Sequence, residues 1–213
     1  MRQLMLALIT YHIMHSSVFK FTFGVIMKKV MFVGWIALFL FSAVANAHGP
    51  VRQKTEEQIT INAPAEKVWD IIKNFGDMSW HPDIFNTTSN GGNAKGATRV
   101  LTLKDGATIT EELKKYDEAK KTYAYKITDI STAKTIVHAG VEEKVPALPV
   151  DNYSASIEVE AKGDTSVVSW TAGYYRAYTN NNPPVEMNEE TANAAVGAVI
   201  KTGLFNLKSL AEK

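Results

Sequence analysis

Few residues in this chain are suited to chemistry. His81 stands in Trp80-His81-Pro82-Asp83. An imidazole exchanges protons near neutral pH, so His81 is the first candidate for general acid or base work. The same tripeptide also ends a helix and plugs a sheet opening, and that structural reading competes with the catalytic one. Glu111 is the second candidate: a carboxylate raised by burial can act as a base. If Arg99 lies opposite, Glu111 should instead stay ionised as half of a structural pair. A chain beginning at His48 would carry an α-amine beside an imidazole, which together chelate copper, but nothing brings His81 and His138 to it. No metal site and no cofactor are expected. The chain has no cysteine, which removes disulfides and thiolate chemistry. No Ser-His-Asp order, phosphate-binding glycine loop or pair of catalytic carboxylates is present. The residues therefore favour action by binding, with His81 and Glu111 as the candidates if a reaction is catalysed.

The elements that must position these side chains follow from periodicity. Residues 57–61 alternate as a strand. Pro64 suits the first position of a helix, where its missing N–H costs nothing, and Glu66 suits the positive first turn. Val68, Trp69, Ile71, Ile72 and Phe75 form the apolar stripe of that helix, and Gly76 stops it. A short helical or irregular piece is expected over 77–84, giving a short N-terminal helix pair, followed by a polar stretch with a turn at Asn90-Gly91-Gly92-Asn93. Alternating segments at 97–103, 107–116, 121–130, 153–161 and 166–178 read as antiparallel strands joined by hairpins. Residues 131–150 contain Pro146 and Pro149 and are expected to form an extended segment and a loop. After the Asn180–Pro184 loop, Ala192, Val196, Val199, Ile200, Gly203, Leu204, Leu207 and Leu210 recur at helical spacing. The class is α+β, an antiparallel sheet with helices on one face. Trp69, Ile72, Trp170, Val199 and Leu207 are expected in one core.

One hairpin can be set in register. With Lys104-Asp105-Gly106 as a three-residue loop, Leu101 faces Ile109 and Arg99 faces Glu111. The final glycine then takes the left-handed position that such loops need.

The first 47 residues read differently. Met27-Lys28-Lys29, the apolar run 30–41 and the ending Ala45-Asn46-Ala47 have the order of a signal peptide over 27–47. The run is short for a membrane span, so no stable membrane anchor is expected after cleavage behind Ala47. Residues 1–26 are read as an upstream extension from a mis-assigned start, and 48–213 as one domain. Of 23 basic residues, Arg2, Lys20, Lys28 and Lys29 precede His48, leaving 19 against 22 acidic ones, a balance of −3. That balance, with no basic stripe, argues against nucleic acid as a partner. A cysteine-free exported chain fits a bacterial periplasm.

The run Ile59-x-Ile61-x-Ala63-Pro64-Ala65-x-x-Val68-Trp69-x-x-Ile72, with Phe75-Gly76-Asp77 and Trp80-His81-Pro82 after it, resembles the polyketide cyclase/dehydrase branch of the START-like (SRPBCC) superfamily. Glu111-Glu112-Leu113, Tyr123-x-Tyr125-x-Ile127, Asn152-Tyr153-x-Ala155-x-Ile157 and Val168-x-Trp170 continue the likeness in order. The resemblance implies a helix-grip fold, in which a curved antiparallel sheet wraps the long C-terminal helix around an apolar cavity. Within the branch, the export signal and the His48-Gly49-Pro50 start look most like a small periplasmic protein of methylotrophic bacteria. This implies methanol dehydrogenase and its cytochrome c as partners in methanol oxidation.

Strand alternation supplies an expected lining for such a cavity. Tyr123 and Tyr125 share a face, as do Tyr153 and Ala155, and as do Trp170 and Tyr174. Trp80 and His81 would stand at its mouth, Arg99 and Glu111 at a polar end, and the small Val199 and Gly203 would leave room opposite the sheet. The alternative is a closed core with the aromatics packed solid. Three functions remain open: a non-enzymatic binding or accessory module, a cyclase- or dehydratase-type enzyme acting on a small apolar molecule, and a carrier of a hydrophobic ligand or lipid.

Overall fold

The computed structural model describes residues 49–213. The expected signal segment, the upstream stretch and His48 lie outside the described residues. The strands are β1 (Gln53–Ile61), β2 (Ile84–Asn90), β3 (Thr98–Leu103), β4 (Thr108–Asp117), β5 (Thr122–Ile130), β6 (Thr132–His138), β7 (Val141–Pro146), β8 (Val150–Lys162) and β9 (Thr165–Arg176). Two helices accompany them, α1 (Ala65–Ile72) and α2 (Glu189–Ala211). Seven strands form one antiparallel sheet in the order β1-β9-β8-β5-β4-β3-β2, and β6 and β7 pair separately as a ribbon.

The sheet buries one face because its strands alternate. In β9, every second residue from Ser166 to Arg176 is buried, so Val168, Trp170, Ala172 and Tyr174 all point inward. Tyr123 and Tyr125 of β5 and Tyr153, Ala155 and Ile157 of β8 join them on that face. Helix α2 presents Val196, Ile200, Leu204 and Leu207 to the same layer. It starts at Asn188, whose side chain accepts the Thr191 N–H at 2.8 Å and satisfies one otherwise orphaned donor. No helix among the described residues is long and apolar enough to cross a membrane.

The three-residue hairpin has the expected register. Leu101 stands opposite Ile109 and Arg99 opposite Glu111, while Gly106 takes φ +87°. Strand pairing slips between Thr110 and Glu111 and again between Leu113 and Lys115, and such bulges bend a strand.

Five expectations change. The short N-terminal helix pair reduces to α1: residues 77–83 form turns, with His81 N–H on the Met78 carbonyl and Ile84 N–H on the His81 carbonyl. Pro82 disfavours helical backbone at His81, and Gly76 closes the other end, so too few residues remain for a helix. Pro64 sits one place earlier than expected, as the N-cap of α1. The stretch after Pro82 contains a strand, β2, at the sheet edge, and residues 131–150 hold the β6–β7 ribbon. Val199 leaves the core: it is 36% exposed.

Candidate ligand cavity

Between the inner face of the sheet and α2 lies a cavity of about 330 Å³, at the lower end of the volumes that hold small ligands. Its exposed lining residues, Asp83, Lys104, Asp105 and Val199, mark the open side, between the β3–β4 hairpin tip, the loop before β2 and the helix. The buried ones, Glu111, Tyr125, Tyr153 and Trp170, mark the inner end. Leu101, Ile109 and Leu148 supply apolar wall between them.

His81 is buried, at 1% exposure, and both ring nitrogens are engaged. Nε2 lies 3.0 Å from the Val199 carbonyl and donates to it, and Nδ1 accepts the Asp83 N–H at 3.3 Å. That pair of roles assigns the neutral tautomer with hydrogen on Nε2. Burial lowers its pKa; the Val199 carbonyl and the Asp83 charge offset part of the shift, and Arg99 adds to it. His81 thus fastens α2 to the loop after α1, while its ring edge lines the cavity.

Arg99 and Glu111 form a buried pair at 2.5 Å, Nε to Oε2. Arg99 also donates Nη1 to the Phe75 carbonyl at 2.7 Å, and its guanidinium lies 4.2 Å from the Phe75 ring centre. Burial pushes the Glu111 carboxyl up, and Arg99 offsets part of that shift. Arg99 faces away from the opening and stays protonated. Burial also raises the Tyr153 phenol, with the Glu111 charge adding to it. Tyr125 is raised well above its ordinary value by burial, with the Tyr153 phenol and the Glu111 carboxylate contributing. Both phenols are therefore neutral. The Tyr125 hydroxyl accepts the Trp170 indole N–H at 3.2 Å.

Of the residues expected around a cavity, His81, Glu111, Tyr125, Tyr153, Trp170 and Val199 line this one. The other five are placed elsewhere. Trp80 is buried behind His81, with its ring centre 5.7 Å from that of Trp170. Arg99 stands behind Glu111. Tyr123 is packed between Trp69 and Phe75. Tyr174 spends its hydroxyl on Thr55 and Asn193. Gly203 leaves no room for a ligand, because the His81 and Trp170 rings occupy the space beside it. The apolar hairpin wall is absent from the expected lining, although Leu101, Ile109 and Glu111 share a face in the three-residue register. Ala147 and Leu148 fall in the stretch that periodicity does not resolve. Among the described residues, no cluster of three His, Asp or Glu is placed to hold a metal.

A sheet folded over a long helix around an enclosed, mostly apolar space defines a helix-grip protein. The chain belongs to the family described as polyketide cyclase / dehydrase and lipid transport, whose model matches residues 52–212. A protein of Bacillus thuringiensis of uncharacterised role is similar in structure at 25% identity and TM-score 0.59, covering 76% of this chain and 100% of its own. The protein XoxI from Bacillus cereus is similar at 25% identity and TM-score 0.58, over 74% of this chain and 94% of its own. A protein of Nitrosospira multiformis shares the fold at 23% identity and TM-score 0.55, over 75% of this chain and 96% of its own. Comparison with curated protein sequences finds no match.

Proposed function

We propose that this chain is an exported binding module that encloses a small, largely apolar molecule between its sheet and α2. One observation carries the reading: the cavity is walled largely by aromatic and aliphatic side chains, while its two candidate proton carriers, His81 and Glu111, are tied to Val199 and Arg99. A cyclase- or dehydratase-type reaction would need His81 or Glu111 as its proton carrier. His81 has both nitrogens committed, and Glu111 is tied to Arg99, so binding accounts for the geometry with fewer rearrangements. Titration with N-phenyl-1-naphthylamine, a neutral apolar fluorophore, tests this. Saturable one-to-one uptake is expected, and a linear, non-saturating signal would count against it.

The setting we propose is the periplasm, as an accessory to methanol oxidation in the manner of the MxaD protein of methylotrophic bacteria. The signal-like order over 27–47 and the resemblance at the His48-Gly49-Pro50 start support it. The partners would be methanol dehydrogenase and its cytochrome c. Glu142, exposed on the β6–β7 ribbon, and half-buried Glu143 beside it are the contact candidates. Glu189 of the Glu189-Glu190 pair is held by Arg176 and is the poorer one. Electron transfer from methanol to cytochrome, measured with and without the protein, should be stimulated by wild type and by His81→Gln, and weakened by charge reversal at Glu142 and Glu143. Stimulation lost only in the histidine variant would favour the enzyme reading. The exported chain should begin at His48, which intact mass would check.

A further inference from the structure

The inner end of the cavity is not uniformly apolar, and its polarity has a sign. Glu111 is 5% exposed and lines the space. Its Oε2 takes the Arg99 Nε–H, but among the described residues no donor reaches Oε1. Oε1 is not among the fully buried atoms left without a partner, so it stays open to the cavity. A ligand that displaces water from it must supply a donor or leave the acceptor unsatisfied. Tyr125 and Tyr153, whose phenols feel the Glu111 charge, line the same end.

We propose, building on the cavity reading above, that the ligand carries an apolar body and one neutral hydrogen-bond-donating head, a hydroxyl of an alcohol or phenol, which docks on Glu111 Oε1. The charge of the site selects this head over others. Arg99 and Glu111 together are neutral, so the site offers an acceptor without a net field for a cation. An ammonium head would have to shed its water beside the Arg99 guanidinium, and desolvating a charge there is costly. A carboxylate head would set acceptor against acceptor. A head without a donor would leave Oε1 unsatisfied. The aromatic wall of Trp170, Tyr125 and Tyr153 suits a flat body.

Four probes with one body separate these cases: naphthalene, 2-naphthol, 2-naphthoate and 2-naphthylmethylamine, each competed against N-phenyl-1-naphthylamine on the purified protein at neutral pH. 2-Naphthol should bind about tenfold more tightly than naphthalene, the effect of one hydrogen bond to a charged acceptor. The ammonium should follow and the carboxylate should be weakest. In Glu111→Gln the amide oxygen must take the Arg99 Nε–H, leaving a neutral NH2 in place of the charged acceptor, which should weaken the preference. Because that change leaves Arg99 buried alone, R99M/E111M, which removes both charges together, serves as the second variant and should bind 2-naphthol no better than naphthalene. Circular dichroism confirms its fold. Equal binding of naphthalene and 2-naphthol by wild type, or tightest binding of 2-naphthoate, overturns this inference and leaves the cavity reading standing. Displacement by none of the four, together with no fluorophore uptake, overturns both.

Discussion

The imidazole of His81 occupies the place that a side chain at Gly203 would need. A Cβ on Gly203 would stand 2.6 Å from His81 Cδ2 and 2.8 Å from Trp170 Cζ3. The close approach brings the ring edge to α2 one turn below Val199, whose carbonyl takes the Nε2 hydrogen. Helix, loop and sheet are thereby locked at one point beside the cavity.

Gly203→Ala should therefore destabilise the fold by about 1–3 kcal/mol, the usual cost of forcing extra volume into a packed site. Gly197 lies in the same helix, and a Cβ added there would meet nothing within 4 Å. Gly197→Ala should stabilise by about 0.5–1 kcal/mol through helix propensity alone. Urea denaturation midpoints of the two variants should move in opposite directions. Equal stabilisation would show that the His81 ring does not press on the helix.

His81 should also make stability depend on pH. Burial depresses its folded pKa, so the folded state binds the proton less readily than the unfolded chain. Its contribution is complete above the unfolded value of about 6.5 and is lost as pH falls through the depressed folded value. Comparing urea midpoints at about pH 7.5 and about pH 5 should show a larger loss for wild type than for His81→Gln, which keeps a donor for Val199 without a titrating ring. Equal losses would place the titrating group elsewhere.

Arg99 and Glu111 should behave as a unit. Removing either charge alone leaves the other buried without a partner and should cost on the order of 3–5 kcal/mol. Arg99→Met and Glu111→Met together should cost far less than the sum. Simple additivity in a double-mutant cycle would reject the contact.

Much of this arrangement is legible in the residues. Two-residue alternation places Tyr123, Tyr125, Tyr153, Trp170 and Tyr174 on the buried face, and the Lys104-Asp105-Gly106 loop sets Arg99 against Glu111. What alternation cannot reveal is depth. All five aromatics point inward, yet only Tyr125, Tyr153 and Trp170 reach the cavity, because which side chain fills which gap depends on neighbours far apart in sequence. Gly203 shows the same limit. A small residue on the helix suggests open space, but the rings of His81 and Trp170 take it. Val199 shows the converse, a residue with core spacing that stands at an opening. The β6–β7 ribbon is obscured by Pro146 and by its largely exposed faces, which carry no apolar alternation.

Val199 also provides the most direct test of the cavity as a binding site. It lines the open side and is partly exposed, so a larger side chain there can fold into the mouth without disturbing the core. N-phenyl-1-naphthylamine uptake by wild type and Val199→Trp, compared at equal folding stability, reads the result. The account predicts saturable one-to-one uptake by wild type and a loss of about tenfold or more in affinity in the variant, the change that follows from removing roughly 1.4 kcal/mol of binding free energy. Unchanged affinity in a folded Val199→Trp protein would contradict it.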